Sequence, residues 1–145
     1  MPDTPHAAPT VTPPATNAQV VRAYVDAFNQ GDSETLRRLF TPDALVYGVL
    51  GAGVLDVVIP IWKELHAAFA IELHVDGLVA QGDTVVVRYT ERGTSVGAFR
   101  GQGPTGRSYE IVAMEWFAMR DGLIHRRWAA RDAAAQARQM GLAAP

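Results

Sequence analysis

Apolar residues in the first part of the chain recur at helical spacing. Between Asn17 and Gly31 they fall three or four positions apart, which predicts a helix capped by Asn17 and ended by Gly31. Ser33 is expected to cap a second, short helix that reaches Phe40 and stops before Pro42. The chain is therefore predicted to open with two helices.

The next segment predicts a strand, a turn and a third helix. A short strand is expected over Ala44–Val49, followed by the glycine-rich turn Gly51–Gly53. The third helix is predicted over Ile61–Phe69. Pro60 is expected at or near its first turn, because a proline inside a helix removes a backbone donor and breaks the helix.

From Ile71 onward, apolar and polar residues alternate as in half-buried strands. The predicted elements are strands over Leu73–Ala80, Thr84–Gly97, Arg107–Met119 and Leu123–Ala130, then a helix over Asp132–Met140. At least four antiparallel strands are thus expected between Ile71 and Ala130. The whole pattern predicts an α+β fold, in which three N-terminal helices pack on a curved antiparallel sheet and enclose an apolar pocket.

The prolines of the first segment predict where the folded domain begins. Prolines recur among Ala and Thr in residues 1–17, which predicts an extended, disordered leader before a single domain over residues 18–145.

The strand Arg107–Met119 is apolar on both faces. Since one face is committed to the pocket, the other needs cover, and we expect a homodimer formed through the convex outer face of the sheet.

Composition narrows the functional classes. The 145 residues are 48% hydrophobic and 19% charged, with a formal net charge of −2, which indicates a soluble globular protein without a basic field for nucleic acid or anionic lipid. The absence of cysteine excludes thiolate catalysis and disulfides. The four histidines are dispersed without a carboxylate cluster, so no metal site is expected. No signal peptide or membrane-spanning run is found, and a cytoplasmic location is the default expectation.

Several segments resemble a known family. VVRAYVDAFNQGDSETLRRLFTPDALV is similar to the helical opening of nuclear-transport-factor-2-like cone folds. ERGTSVGAFRGQGPTGR, MRDGLIHRRWAARD and ARQMGL resemble, more narrowly, the SnoaL-like polyketide (ester) cyclases. The similarity runs from about Gln19 to Leu142, and its most specific parts are Pro104–Arg107 and Trp128-x-x-x-Asp132.

The resemblance implies a cone, or α+β barrel, and a cyclase without cofactor or metal. Such an enzyme acts on a small hydrophobic, polyketide-like ester by intramolecular aldol condensation, and the position matching Asp132 supplies the general acid/base. The chemistry suits an apolar pocket, because the protein has mainly to fold the substrate and move one proton. Two positions depart from the family pattern: Ser95 replaces the histidine of Gly-Thr-His, and Tyr47 stands where the first strand commonly ends in histidine.

Six residues are candidates to contact the substrate. They are the aromatic residues Tyr47, Trp62, Trp116 and Trp128, together with Arg88 and Ser95. Each also has a structural interpretation: a tryptophan packs in cores, and an arginine can be a solvated sheet residue. Asp132, where a strand gives way to a helix, can equally be an N-cap. The arginines of the last strand, Arg126, Arg127 and Arg131, are expected to be surface charges.

Other functions on the same scaffold stay open. A ketosteroid-isomerase-like site would use Tyr24 for the oxyanion, but its base would fall near Gly48, which has no side chain. A limonene-epoxide-hydrolase-like site could take Asp132 and Arg88, with no third member identified. A non-catalytic binding or scaffold protein is the remaining alternative, because this fold hosts many functions. Burial of Asp132 beside the pocket would favour an enzyme, and an exposed cap would favour a binder.

Overall fold

The computed structural model describes residues 15–143, in which helices lead into a curved, unclosed sheet. The helices are α1 (Asn17–Gln30), α2 (Ser33–Arg38), α3 (Leu55–Phe69) and α4 (Ala133–Met140). The strands are β1 (Phe40–Gly48), β2 (Gly51–Gly53), β3 (Glu72–Gln81), β4 (Thr84–Thr94), β5 (Ser108–Arg120) and β6 (Leu123–Arg131). The α+β class is as predicted. Most of the predicted leader lies outside the described residues.

The sheet has the strand order β2-β1-β6-β5-β4-β3. Strands β3 to β6 form consecutive antiparallel pairs, which confirms the four antiparallel strands expected from the alternation. The expected antiparallel sheet has one exception, because β1 runs parallel to β6. These are the first and the last strand of the chain, so no hairpin joins them. Their pairing covers an edge of β6 that would otherwise be unpaired.

Prolines and glycines account for the other differences in the first half. Helix α3 begins at Leu55, and Pro60 lies inside it. The proline removes one backbone donor, but the helix buries Val58, Ile59 and Trp62, and this packing outweighs the missing hydrogen bond. Pro42 lies within β1 instead of ending a helix. The expected glycine turn over residues 51–53 forms β2, which pairs with the end of β1.

The first two helices are capped one residue earlier than predicted. Thr16 caps α1, and its hydroxyl accepts a hydrogen bond from Gln19 N at 3.2 Å while the Gln19 side chain accepts from Thr16 N at 2.8 Å. This reciprocal pair is a capping box, which leaves Asn17 free to donate to Gly82 O at 3.1 Å. Asp32 caps α2 through its side chain alone, which accepts from Thr35 N at 3.1 Å. Gly31 ends α1 with a φ of 67°, as predicted.

Alternation along the strands decides which residues face the helices. In β5 every second residue is buried, from Tyr109 through Phe117. In β6 the alternation is interrupted, because Ile124 pairs with Met119 and Arg126 pairs with Ala118, so that His125 is an extra residue without a partner in β5. The residues after this bulge face the opposite side from the one that simple alternation predicts.

No helix of the described part is long and apolar enough to cross a membrane.

Candidate active site

A cavity of about 470 Å³ lies between the helices and the inner face of the sheet. Its walls are largely apolar and include Phe28, Ile61, Trp62, Leu65, Phe69 and Met140. Helix α3 supplies one side of the cavity, and the start and end of α4 supply another. The size and apolar character suit a small hydrophobic molecule.

The loop between β4 and β5 and the C-terminal segment border this cavity. Phe99 and Gln102 of the loop line it, and the Gln102 side chain accepts a hydrogen bond from Ala143 N at 2.8 Å. Thr105, in the Pro-Thr-Gly-Arg segment, donates to Met140 O at 2.6 Å and so ties the loop to the end of α4. Ser95 is buried behind the loop, where its hydroxyl accepts from Thr105 N at 3.0 Å. Ser95 therefore holds the loop in place and does not line the cavity.

One buried ion pair lies in the lining, between Glu115 on β5 and Arg127 on β6. Their side chains are 0% and 3% exposed, respectively. Tyr24 donates to the same Glu115 oxygen, Oε2, at 3.3 Å, and the Arg127 guanidinium stacks on the Trp62 ring at 5.5 Å from its centroid. Within residues 15–143, Glu115 Oε1 and Arg127 Nε have no hydrogen-bond partner. The pair is thus enclosed by aromatic rings but incompletely satisfied.

A second ion pair, between Glu91 on β4 and Arg131 on β6, also lines the cavity. Glu91 Oε1 accepts from Arg131 Nε at 2.9 Å and lies 2.7 Å from Arg131 Nη2. Tyr109 donates to the other carboxylate oxygen at 2.7 Å. Both oxygens of this buried carboxylate therefore have a donor, which is the condition for keeping a charge inside a protein.

The surroundings of these pairs perturb their neighbours. Burial raises the pKa of the Tyr24 and Tyr109 hydroxyls above their ordinary value, and the Glu91 charge raises that of Tyr109 further. Both hydroxyls therefore stay protonated and donate to the carboxylates at neutral pH. Burial by itself lowers the pKa of Arg127, but the negative charge of Glu115 holds it above its ordinary value.

Asp132 lies at the N-terminus of α4 and caps it. Its Oδ1 accepts from Ala135 N at 2.9 Å, as the structural interpretation of this residue expected. The side chain is exposed and does not line the cavity, although the flanking residues Arg131 and Ala133 do. The role of Asp132 as general acid/base stays a prediction.

Of the six predicted contact residues, Trp62 lies in the cavity lining, and four lie on the outer face of the sheet. Trp116 and Trp128 are paired across β5 and β6 and are 51% and 42% exposed. Tyr47 stacks on Trp128, with ring centroids 5.6 Å apart and planes 4° from parallel. Arg88 is exposed on β4. These residues do not reach the cavity because their strand positions point to the other face.

The charged residues of the cavity were not among the predicted site residues. Glu91 and Glu115 occupy the buried positions of β4 and β5, in phase with Tyr89 and Phe117, and this phase is visible in the sequence. The expectation that Arg127 and Arg131 are surface charges is wrong. The bulge at His125 turns both side chains to the inner face, and the chain alone gives no signal for that extra residue.

Comparisons with known proteins agree with the geometry. The family model of the SnoaL-like polyketide cyclases matches residues 18–140. IdmH from Streptomyces antibioticus, which is provisionally described as a polyketide cyclase, is 29% identical, with a TM-score of 0.78 over 88% of this chain and 100% of its own.

Two further structures show the same fold. A protein from Xanthomonas campestris, also provisionally described as a polyketide cyclase, is 20% identical with a TM-score of 0.80 over 86% of this chain and 96% of its own. An NTF2-like protein from Cytophaga hutchinsonii is 13% identical with a TM-score of 0.64, over 86% of this chain and 96% of its own. A search of curated proteins returns no significant match. Because the family model covers most of the sequence, the chain belongs to the SnoaL-like polyketide cyclase family.

Proposed function

We propose that the protein catalyses a cofactor-free intramolecular cyclisation of a small hydrophobic, polyketide-type ester inside the cavity. The observation that carries this proposal is the cavity itself, about 470 Å³ in volume and predominantly apolar, with its deepest charges held in ion pairs. A flexible chain that folds in such a space loses conformational freedom before it reacts. Orienting the reacting atoms in this way can contribute several orders of magnitude in rate.

The proposed reaction needs one base and one acid. A carboxylate removes a proton from the carbon between two carbonyl groups, the enolate carbon attacks a second carbonyl carbon, and the new alkoxide takes the proton back. The family resemblance assigns this carboxylate to Asp132. Because Asp132 is exposed beside Arg131 and Ala133, the reacting carbon would have to lie at that edge of the cavity.

Occupancy of the cavity can be tested with two neighbouring alanines of α4. Ala133 lines the cavity, whereas Ala134 is exposed and does not. In Ala133→Phe the added ring takes up cavity space, so cyclisation should slow at least tenfold. The substrate is an aryl 1,3-dicarbonyl ester with a ketone on the ring position next to the dicarbonyl chain, because that ketone supplies the carbonyl carbon that the enolate attacks. The cyclised product is measured by chromatography and mass spectrometry. Ala134→Phe should retain turnover. Equal turnover in both variants would show that the reaction does not occur in this cavity.

A non-catalytic ligand-binding protein is the second candidate, and the exposed capping position of Asp132 favours it. The two proposals separate on one measurement. The protein is a binder if the wild type binds the ester without converting it over many hours and the Ala133→Phe variant no longer binds the ester.

A further inference from the structure

Arg131 is the most accessible of the four charged side chains that form the two ion pairs of the cavity. Its side chain is 17% exposed, against 3% for Arg127 and no more than 1% for the two glutamates. A substrate can therefore touch Arg131 while the carboxylates stay behind their arginines. Arg100 also lines the cavity, but it lies in the loop after β4 and is paired with Glu64 at 3.5 Å.

The contacts of Arg131 hold its guanidinium in one orientation. Nε and Nη2 both face Glu91 Oε1, at 2.9 and 2.7 Å. The other oxygen of Glu91 accepts from Tyr109 at 2.7 Å, so the carboxylate cannot rotate without losing that bond. The remaining terminal nitrogen, Nη1, makes no hydrogen bond to any residue between 15 and 143. One charged donor group is thus fixed and available.

The chemistry of this donor selects its partner. A guanidinium stays protonated at any pH the protein meets and donates to oxygen acceptors. Glu91 balances its charge, so the site accepts a neutral carbonyl oxygen and stabilises it further when that oxygen becomes negative. The apolar part of a ligand would then pack on Trp62 and Leu65 of α3.

We propose that Arg131 is a substrate-binding residue that holds a carbonyl or enolate oxygen, with Glu91 and Tyr109 as its positioning residues. The inference deepens the proposed function and rests on it. In the cyclisation, the oxygen held by Arg131 Nη1 gains the negative charge when the base removes the neighbouring proton. Arg131 would then contribute more to binding of the enolate than to binding of the ester.

The test compares two ligands of nearly the same shape, 2-acetylnaphthalene and 2-ethylnaphthalene, by titration calorimetry. The acetyl compound has the oxygen acceptor and the ethyl compound lacks it. In a cavity without a donor the ethyl compound binds more tightly, because the carbonyl loses its hydrogen bonds to water. If Arg131 holds the oxygen, the wild-type protein should prefer the acetyl compound by roughly ten- to one-hundred-fold in Kd, as expected for a hydrogen bond to a charged group.

The informative variant is the double substitution Arg131→Met with Glu91→Gln. Removing both charges avoids an unpaired buried carboxylate, and the glutamine can still accept from Tyr109, so the fold and the binding of 2-ethylnaphthalene should be retained. The preference for the acetyl compound should disappear. Arg138→Met, an exposed residue of α4, removes an arginine outside the cavity and should keep the preference.

The outcomes separate the two proposals. A preference that survives in the double variant, or its absence in the wild-type protein, overturns the role of Arg131 and leaves the proposed cyclisation standing. Failure of the wild-type protein to bind either compound overturns both, because the cavity would then not accept a hydrophobic ligand.

Discussion

Substitution of Arg127 by methionine should destabilise the protein far more than loss of any surface charge. Methionine keeps an apolar side chain of similar length but removes the guanidinium that stacks on Trp62, leaving Glu115 0% exposed and without its ionic partner. Tyr24 would still donate to Glu115, at 3.3 Å. Breaking a buried pair in this way costs about 3–5 kcal/mol. In a protein of 145 residues, each kcal/mol shifts Tm by roughly 2–4 °C, so a loss of about 6–20 °C is expected.

Thermal unfolding monitored by circular dichroism, with urea unfolding for the free energy, measures this change. The matched control is Arg92→Met, which breaks an ion pair on the same sheet. The Arg92–Glu110 pair is short, at 2.6 Å, but its side chains are 63% and 59% exposed, so its loss should cost no more than about 1 kcal/mol. The double variant Arg127→Met with Glu115→Gln should recover much of the stability, because no buried charge is left without its partner. If Arg127→Met lowers the free energy of unfolding by less than about 1 kcal/mol, the reasoning from burial is refuted.

Three other substitutions test separate parts of the structure. If the protein is a cyclase, Asp132→Asn should lower turnover roughly a hundred- to ten-thousand-fold while the amide still caps α4, and unchanged turnover in the product assay would leave Asp132 as a cap alone. Light scattering at micromolar concentration should show a homodimer. Trp116→Lys should dissociate it, because the exposed apolar outer face of the sheet then carries a charge. A monomeric wild-type protein would exclude a dimer formed through this face. A hydrogen bond from Arg120 lowers the pKa of Asp43 to about 2, so Asp43 stabilises the fold above about pH 4, and this contribution is lost as the pH falls towards 2. Asp43→Asn should therefore lower Tm at pH 6 and have a much smaller effect at pH 2, and an equal effect at both pH values would contradict the ion pair.

The second half of the fold could be predicted closely because its signals are local. Strands β3 and β5 lie within one residue of their predicted bounds, since β-forming residues and the turn residues that flank them mark a strand without reference to the rest of the chain. The start of α3 could not be predicted in the same way. Pro60 indicates a helix boundary by local rules, and only the burial of Val58, Ile59 and Trp62 in the folded core shows why the helix continues through it.

Part of the candidate site could also be predicted from the sequence. Glu91 and Glu115 share the phase of the buried residues in their strands, and a carboxylate in that phase needs a partner inside the protein. The alternation that assigns the apolar residues of β5 to two faces also places Glu115 on the face of Phe117. The identity of the partners lay beyond the sequence, because it depends on how β6 pairs with β5.

The bulge at His125 decides which residues of β6 line the cavity. Trp128 and Asp132 are four positions apart and so share one face, while Arg127 and Arg131 share the other. In an unbroken alternation from the buried Ile124, the first pair would point into the cavity. The extra residue reverses this, so that both arginines line the cavity while Trp128 and Asp132 are exposed. The residues of the family motif and the cavity-lining arginines therefore lie on different faces of this segment, and Arg127 and Arg131 are the pair that lines the cavity.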